Sequence, residues 1–228
     1  NAAPAFVLDV DTVTDWNTAK NNLVLSVCGT GKEKVACKTM LNLDLYARVN
    51  VGNRGTVKVT EELLKTWGKS LDEVLEVANE NIRKDVLALD IATALFGFVG
   101  ADALDLDNLD CPMVVISNSS KCFGAGQMFN SEVLERVSNY YESDLFILPS
   151  SIHEIIVLPE SLGGAVEELA EMVKDVNNTA VSPEDVLTYS VYKFERKEKR
   201  LTPYFDIPIQ HSETKILKSM NRRGNKAF

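Results

Sequence analysis

Between Leu41 and Val51 the chain alternates strictly. Leu41, Leu43, Leu45, Ala47, Val49 and Val51 fall on one side, and Asn42, Asp44, Tyr46, Arg48 and Asn50 on the other. A period of two belongs to a strand that buries one face. Gly55–Thr60 repeats the pattern over a shorter run, and the Gly52–Gly55 tract between them is turn chemistry, so the pair predicts a β-hairpin. Thr60 then reads as an N-cap with Glu61 and Glu62 behind it, opening a short helix that stops near Gly68. Ser70 and Glu73 have the spacing of a capping box, and Leu71, Val74, Leu75 and Ala78 give the following helix one apolar face. Upstream, a helix is expected from Asp15 to Val27, with Gly29 as its C-terminal cap.

Beyond the acidic connector Asp102–Asp110, Pro112–Ser117 has the β-branched run of a strand and Asn118–Lys121 the composition of a turn. Phe123–Phe129 is expected to return as a second strand. Ser131 opens an amphipathic helix through Val133, Leu134, Val137 and Tyr141. Leu145–Leu148 and Ile155–Leu158 are short apolar runs flanked by prolines, and they predict two buried strands of one sheet. A helix is expected over Ala165–Val176, another at Ser182-Pro183, and a last strand at Val191–Glu195. Hairpins followed by helices, without alternating βαβ units, predict an α+β fold on a mostly antiparallel sheet. The expected organisation is an N-terminal helical segment (1–40), an α+β domain (41–202) and a basic C-terminal tail (203–228). That tail is expected to dock through a strand at Phe205–Ile209 and a short helix within Lys215–Arg223.

Composition narrows the class. With 45% apolar and 25% charged residues among 228, the chain can bury a proper core and is not a disordered segment. No run approaches a membrane span and no signal peptide opens the chain, so a cytoplasmic protein is expected. The net charge of −9 is uneven. From Lys193 onward ten Lys/Arg face four acids, a surplus of +6 that leaves −15 on residues 1–192. Such a tail can pair with the acidic body, bind nucleic acid through the Lys193–Lys226 region, or simply stay solvated, as short charge runs usually do.

Four cysteines, Cys28, Cys37, Cys111 and Cys122, form no CxxC pair, and only His153 and His211 could join them. No zinc site follows, and free thiols are expected. No cofactor is expected either. Cys28-Gly-Thr-Gly-Lys32 has Ser26 where a phosphate loop needs glycine and Glu33 where it needs a hydroxyl for magnesium. Gly124-Ala-Gly126 lacks the third glycine of a dinucleotide fingerprint, since Phe129 stands there. Asp105–Asp110 lacks the glycine and glutamate of a calcium loop.

The sharpest constellation is Ser150-Ser151-Ile152-His153-Glu154, a hydroxyl, an imidazole and a carboxylate within five residues. In a strand Ser151 and His153 share a face that Glu154 leaves, and a triad base normally comes from a distant segment. The competing reading makes the serines turn caps and His153 a backbone-bonded side chain. Cys122, beside Lys121, is a further candidate nucleophile if its hairpin lies against His153.

Thr60–Gly68, the capped helix after Ser70, Met113–Asn118, Phe123–Gly126, Asp144–Pro159 and Val181–Leu187 follow one another with a specific order and spacing. In these pieces, from Leu41 to about Leu201, the chain resembles a domain family of unknown function widespread in gut Clostridia and their phages and mobile elements. The resemblance implies an α+β fold and a bacterial or phage origin, and brings no activity. The reading that follows is a non-catalytic protein-interaction module with an unidentified protein partner. Its alternatives are a small hydrolase using His153 with Ser150, Ser151 or Cys122, and a nucleic-acid-associated protein acting through its basic tail.

Overall fold

The computed structural model describes residues 10–31, 35–52, 55–90, 112–149, 151–164 and 166–204. Two antiparallel sheets organise them. The first, sheet A, contains β1 (Leu23–Gly29), β2 (Cys37–Met40), β3 (Leu43–Asn50) and β4 (Thr56–Lys58). β3 is its centre, paired with β1 along one edge and with β2 and then β4 along the other. The second, sheet B, runs in the order β10-β9-β7-β8-β6-β5, from β5 (Leu87–Asp90), β6 (Val114–Ser117), β7 (Leu145–Leu148), β8 (Ile155–Pro159), β9 (Tyr192–Glu195) and β10 (Arg200–Pro203). The α+β architecture on antiparallel sheets is therefore as the sequence predicts.

Sheet A lays one face across two cores. Leu23, Leu25, Ala47 and Val49 pack against the helices α1 (Val10–Thr14), α2 (Trp16–Ala19), α3 (Glu61–Trp67) and α4 (Leu71–Ile82). Further along the same face, Val27, Leu43 and Leu45 join Val114, Ile116, Leu145, Ile147, Ile155 and Val157 of sheet B and Val133, Leu134 and Val137 of α5 (Ser131–Tyr140). The alternate residues of sheet B, Phe146, Leu148 and Leu158, lie beneath Leu169 and Val173 of α6 (Val166–Thr179). Strands β7 and β8 are thus covered on both faces, which is why their sequences read as unbroken apolar runs.

The capping signals hold in atomic detail. Thr60 accepts from the Leu63 backbone N–H and Gly68 closes α3 in the left-handed region. At α4 the Ser70 N–H donates to the Glu73 carboxylate (2.8 Å) and the Glu73 N–H returns the bond to Ser70 Oγ (3.3 Å). The backbone and hydroxyl of Ser70 together with Lys69 hold the Glu73 carboxyl at about 2.

Four expectations are corrected. The helix from Asp15 to Val27 is only a turn and a half: α2 ends at Ala19 and residues 23–29 are strand β1. Leu23, Leu25 and Val27 satisfy a period of two, and Gly29 ends a strand. The alternating run starts at Leu43, because Leu41 and Asn42 both have positive φ (55° and 62°) and form the two-residue turn of a β2–β3 hairpin. Phe123–Phe129 is a 3₁₀ segment, Gly124–Phe129, instead of a strand. Ser182-Pro183 opens a single turn closed by the Val186 N–H on the Ser182 carbonyl (3.2 Å). The tail from Phe205 and the connector Asp102–Asp110 lie outside the described residues.

The 3₁₀ segment touches sheet A at Gly126, where an added Cβ would overlap the Leu25 carbonyl oxygen of β1. Leu25 cannot yield without parting β1 from β3, and the 3₁₀ segment is held on its other side by the Gly124 and Ala125 N–H bonds to the His153 and Ile152 carbonyls, so Gly126→Ala should lower stability by about 2 kcal/mol or more in denaturant unfolding. Ile155 is fully buried opposite Ile116. Ile155→Asp should cost about 3 kcal/mol or more by the same measurement. Tyr192 donates from its hydroxyl to the Leu41 carbonyl (3.0 Å), tying sheet B to the hairpin turn of sheet A. Burial pushes that phenol up to about 12 from an ordinary 10. Its folded-state value is raised, so its contribution is complete below pH 10 and is lost as pH climbs toward 12. The fall in melting temperature across that window should be shallower in Tyr192→Phe.

Candidate functional site

The candidate residues meet where the β6 exit, the β7–β8 turn and the turn after α6 converge. The β6 exit is held by its own asparagine. Buried Asn118 donates from Nδ2 to the Cys122 carbonyl (2.9 Å), and its Oδ1 accepts from the Cys122 N–H (3.2 Å) and the Ser120 hydroxyl (2.9 Å). This closes a loop tight enough to put Lys121 and Phe123, neither a glycine, at positive φ (52° and 56°). Backbone of that kind persists only where its surroundings over-determine it.

Those surroundings are supplied by His153. Its carbonyl accepts from Ser117 Oγ (2.7 Å) and from the Gly124 N–H (3.0 Å). Its Nδ1 accepts from the Phe123 N–H (3.2 Å), and its Nε2 lies 3.4 Å from Asp185 Oδ1. A ring that accepts at Nδ1 carries the neutral form's proton on Nε2, the nitrogen on the Asp185 side. Nδ1 is taken up by a hydrogen bond, and Nε2 lies within ion-pair distance of the Asp185 carboxylate. The rings of Phe123 and His153 lie 5.3 Å apart, and the guanidinium of Arg48, from β3, lies 3.8 Å from the Phe123 centroid. Gly124 makes this junction possible. A Cβ there would overlap Ser117 Oγ and sit 2.7 Å from the His153 carbonyl oxygen.

The other sequence candidates occupy varied positions. Ser151 is buried, bridges to Val186, and accepts from the His153 N–H at Oγ (2.9 Å). Ser150 lies outside the described residues. Glu154, with Lys121, borders an apolar groove of about 380 Å³. Leu87 and Leu89 of β5, Val115 of β6, Ile156 of β8 and Val181 past the end of α6 line that groove. Cys122 is exposed beside Phe123, and among the described residues its thiol makes no hydrogen bond to the ring. Cys28, Cys37 and Cys122 are free thiols, while Cys111 lies outside the described residues. Burial first, and then the Asp44 carboxylate, push the Cys37 thiol up, away from reactivity. Among the described residues no group of three metal-ligating side chains converges, and no helix is long and apolar enough to cross a membrane.

Asp185 and Arg48 escaped the sequence reading. Asp185 stands in Ser182-Pro-Glu-Asp185, which has the form of a helix start, where a carboxylate ordinarily serves the first turn. Arg48 stands on the polar side of an alternating strand, where arginine ordinarily faces water; here it is 7% exposed.

The basic stretch also has partners. Lys193 bonds Glu160 (2.8 Å) and Asp144 (3.1 Å), Lys199 pairs with Glu135 (2.7 Å), and Arg200 with Glu195 (2.7 Å). Burial lowers the affinity of Lys193 for its proton, but the bonds from Glu160 and Asp144 outweigh it and hold the ammonium above its usual range.

One curated protein is similar over part of the chain: the ribosomal protein uS12 methylthiotransferase RimO of Clostridium tetani, 26% identical over 106 residues. That match takes in 40% of this chain and 24% of the relative, so the chain spans about a quarter of that protein's length. No solved structure matches. A family model described as a family of unknown function, DUF5688, matches residues 1–196, and with that coverage the chain belongs to this family.

Proposed function

We propose that this protein is a non-catalytic interaction module, and that its docking surface for a protein partner is the apolar groove between β5, β6, β8 and the end of α6. The observation that carries this reading is the state of His153. A general base needs a free nitrogen within reach of a nucleophile. Here the Phe123 N–H occupies Nδ1, Asp185 faces Nε2, and the Ser151 hydroxyl is taken by the His153 backbone. The imidazole works as a two-ended clasp that holds the strained β6 exit against the turn after α6. The groove offers what the clasp does not: about 380 Å³ walled by Leu87, Leu89, Val115, Ile156 and Val181, with Lys121 and Glu154 at its border. Apolar surface rimmed by charge suits an apolar segment of another polypeptide.

The same reading accounts for the basic stretch. Lys193, Lys199 and Arg200 neutralise Asp144, Glu160, Glu135 and Glu195, which leaves these cations little charge to offer phosphates. A cytoplasmic bacterial or phage setting agrees with this proposal.

A fluorophosphonate and an iodoacetamide probe distinguish the module from the hydrolase. Neither should label Ser150, Ser151 or Cys122 faster than a denatured control, and His153→Ala should lower the melting temperature without changing labelling. Rapid labelling that His153→Ala abolishes would establish the hydrolase instead. For the groove, Val181→Glu should keep the wild-type melting temperature and lose a partner that the wild-type protein retains from its native host. Retention of that partner by Val181→Glu would place the docking surface elsewhere.

A further inference from the structure

A second cavity, separate from the groove under α6, opens where the start of β1, the C-terminal end of α4 and the 3₁₀ segment after β6 meet. It encloses about 210 Å³, and six of the side chains lining it are carboxamides: Asn21, Asn22, Asn50, Asn81, Asn118 and Gln127. Two of these are committed to the protein at both ends. Asn118 holds the β6 exit, and Gln127 donates from Nε2 to the Ile82 and Asp85 carbonyls (2.9 and 2.8 Å) while its Oε1 accepts from Asn130 (2.8 Å).

The other four are held by one end only. Asn81 spends both Nδ2 hydrogens on the Lys20 and Leu23 carbonyls (2.9 and 3.0 Å). Asn21 and Asn22 donate from Nδ2 to the Asn17 and Thr18 carbonyls (3.1 and 3.0 Å), and Asn50 accepts the Gly52 N–H at Oδ1 (2.9 Å). Each bond anchors a planar group and fixes which atom its other end presents. Among the described residues the Oδ1 atoms of Asn21, Asn22 and Asn81 and the Nδ2 of Asn50 are left without a protein partner.

Charge and walls narrow the ligand. The lining carries one cation, Lys84, and one anion, Asp85, whose carboxylate accepts from the Ser119 N–H (3.0 Å). With the two signs balanced, nothing favours a charged ligand over a neutral one. Leu23, Val24 and Leu25 add an aliphatic wall. Phe123 also lines the cavity, but it carries the Arg48 guanidinium at 3.8 Å and stands tilted 5.3 Å from the imidazole of His153. It serves as a further wall and not as a platform for a base. Oriented amide oxygens and hydrogens beside an aliphatic surface suit hydroxyl groups, which donate and accept from one atom, mounted on a C–H framework.

We propose that this cavity binds a neutral sugar of a single ring. Its hydroxyls donate to the Asn21, Asn22 and Asn81 oxygens and accept from Asn50 Nδ2 and Lys84, and its C–H face lies on the Leu23–Leu25 wall. The amides are oriented before the ligand arrives, so little side-chain freedom is lost on binding. The proposal does not rest on the docking reading of the groove.

Saturation-transfer-difference NMR on the full chain tests it, with D-glucose, D-galactose, D-mannose and N-acetyl-D-glucosamine as neutral probes and glycine and adenosine as comparisons. Because sugars raise the melting temperature of folded proteins by exclusion from the surface, binding is read on the ligand instead. At least one sugar should give a saturable signal, and glycine and adenosine none. Asn50→Ala removes one hydrogen bond and should weaken that sugar by about fivefold. Val24→Phe, which fills the cavity from its aliphatic wall, should abolish the signal. A further readout needs no variant: in the wild-type protein the Asn50 side-chain amide cross-peak should move with the same titration midpoint. No saturable signal from any of the four sugars overturns the proposal. So does a sugar signal that is unchanged in Asn50→Ala and leaves the Asn50 cross-peak still, or a response to glycine or adenosine alone, which would make the cavity a site for a charge or a base.

Discussion

Three residues without room to vary, Gly124-Ala125-Gly126, join the two sheets of this protein. At one end of the strap a glycine lies against Ser117 Oγ and the His153 carbonyl of sheet B's turn; at the other a glycine lies against the Leu25 carbonyl of β1. Ala125 between them is fully buried in the shared core, and its N–H bonds the Ile152 carbonyl (3.2 Å). Side chains cannot set this spacing, because there are none at its two ends. Backbone does, and the consequences spread outward. The β6 exit must twist through positive φ at Lys121 and Phe123 to reach the strap, and His153 must spend its carbonyl and Nδ1 on holding that twist. The imidazole is committed to architecture by a steric requirement that begins at two glycines.

Much of the fold was legible because local signals and tertiary demands agreed. Leu145–Leu148 and Ile155–Leu158 are apolar throughout because both faces of their sheet are covered, and their reading as paired strands needs nothing else. Ser70 and Glu73 cap one another by chemistry contained within four residues. The failures occurred where tertiary packing overrode a local pattern. Asp15–Val27 contains both a helix start and an alternating run, and pairing with β3 decided in favour of the strand. The short Phe123–Phe129 run became 3₁₀ since only a tight coil brings both glycines to opposite walls.

The site was legible in composition and illegible in arrangement. His153 and Ser151 stood out as a reactive-looking pair, yet the serine caps the histidine's own backbone N–H. The histidine's carboxylate partner comes from Asp185, thirty-two positions on and disguised as part of a helix start. Arg48 was hidden for a different reason. Its sequence neighbourhood describes the outer side of a strand, and nothing local reveals that Phe123, seventy-five residues later, lies across its guanidinium. Adjacency of that kind belongs to the fold alone.

The shared core has a temporal side as well. A ribosome delivers β1 through β4 before any of sheet B, so helices α3 and α4 can cover Leu23, Leu25, Ala47 and Val49 soon after they emerge. Val27, Leu43 and Leu45 have no such cover until residues 114–157 arrive, because their partners are Val114, Ile116, Ile155 and Val157. For the time needed to translate that interval, the nascent chain carries half of sheet A finished and the other half bare. The surface left bare in that interval is the one that vanishes once the strap closes.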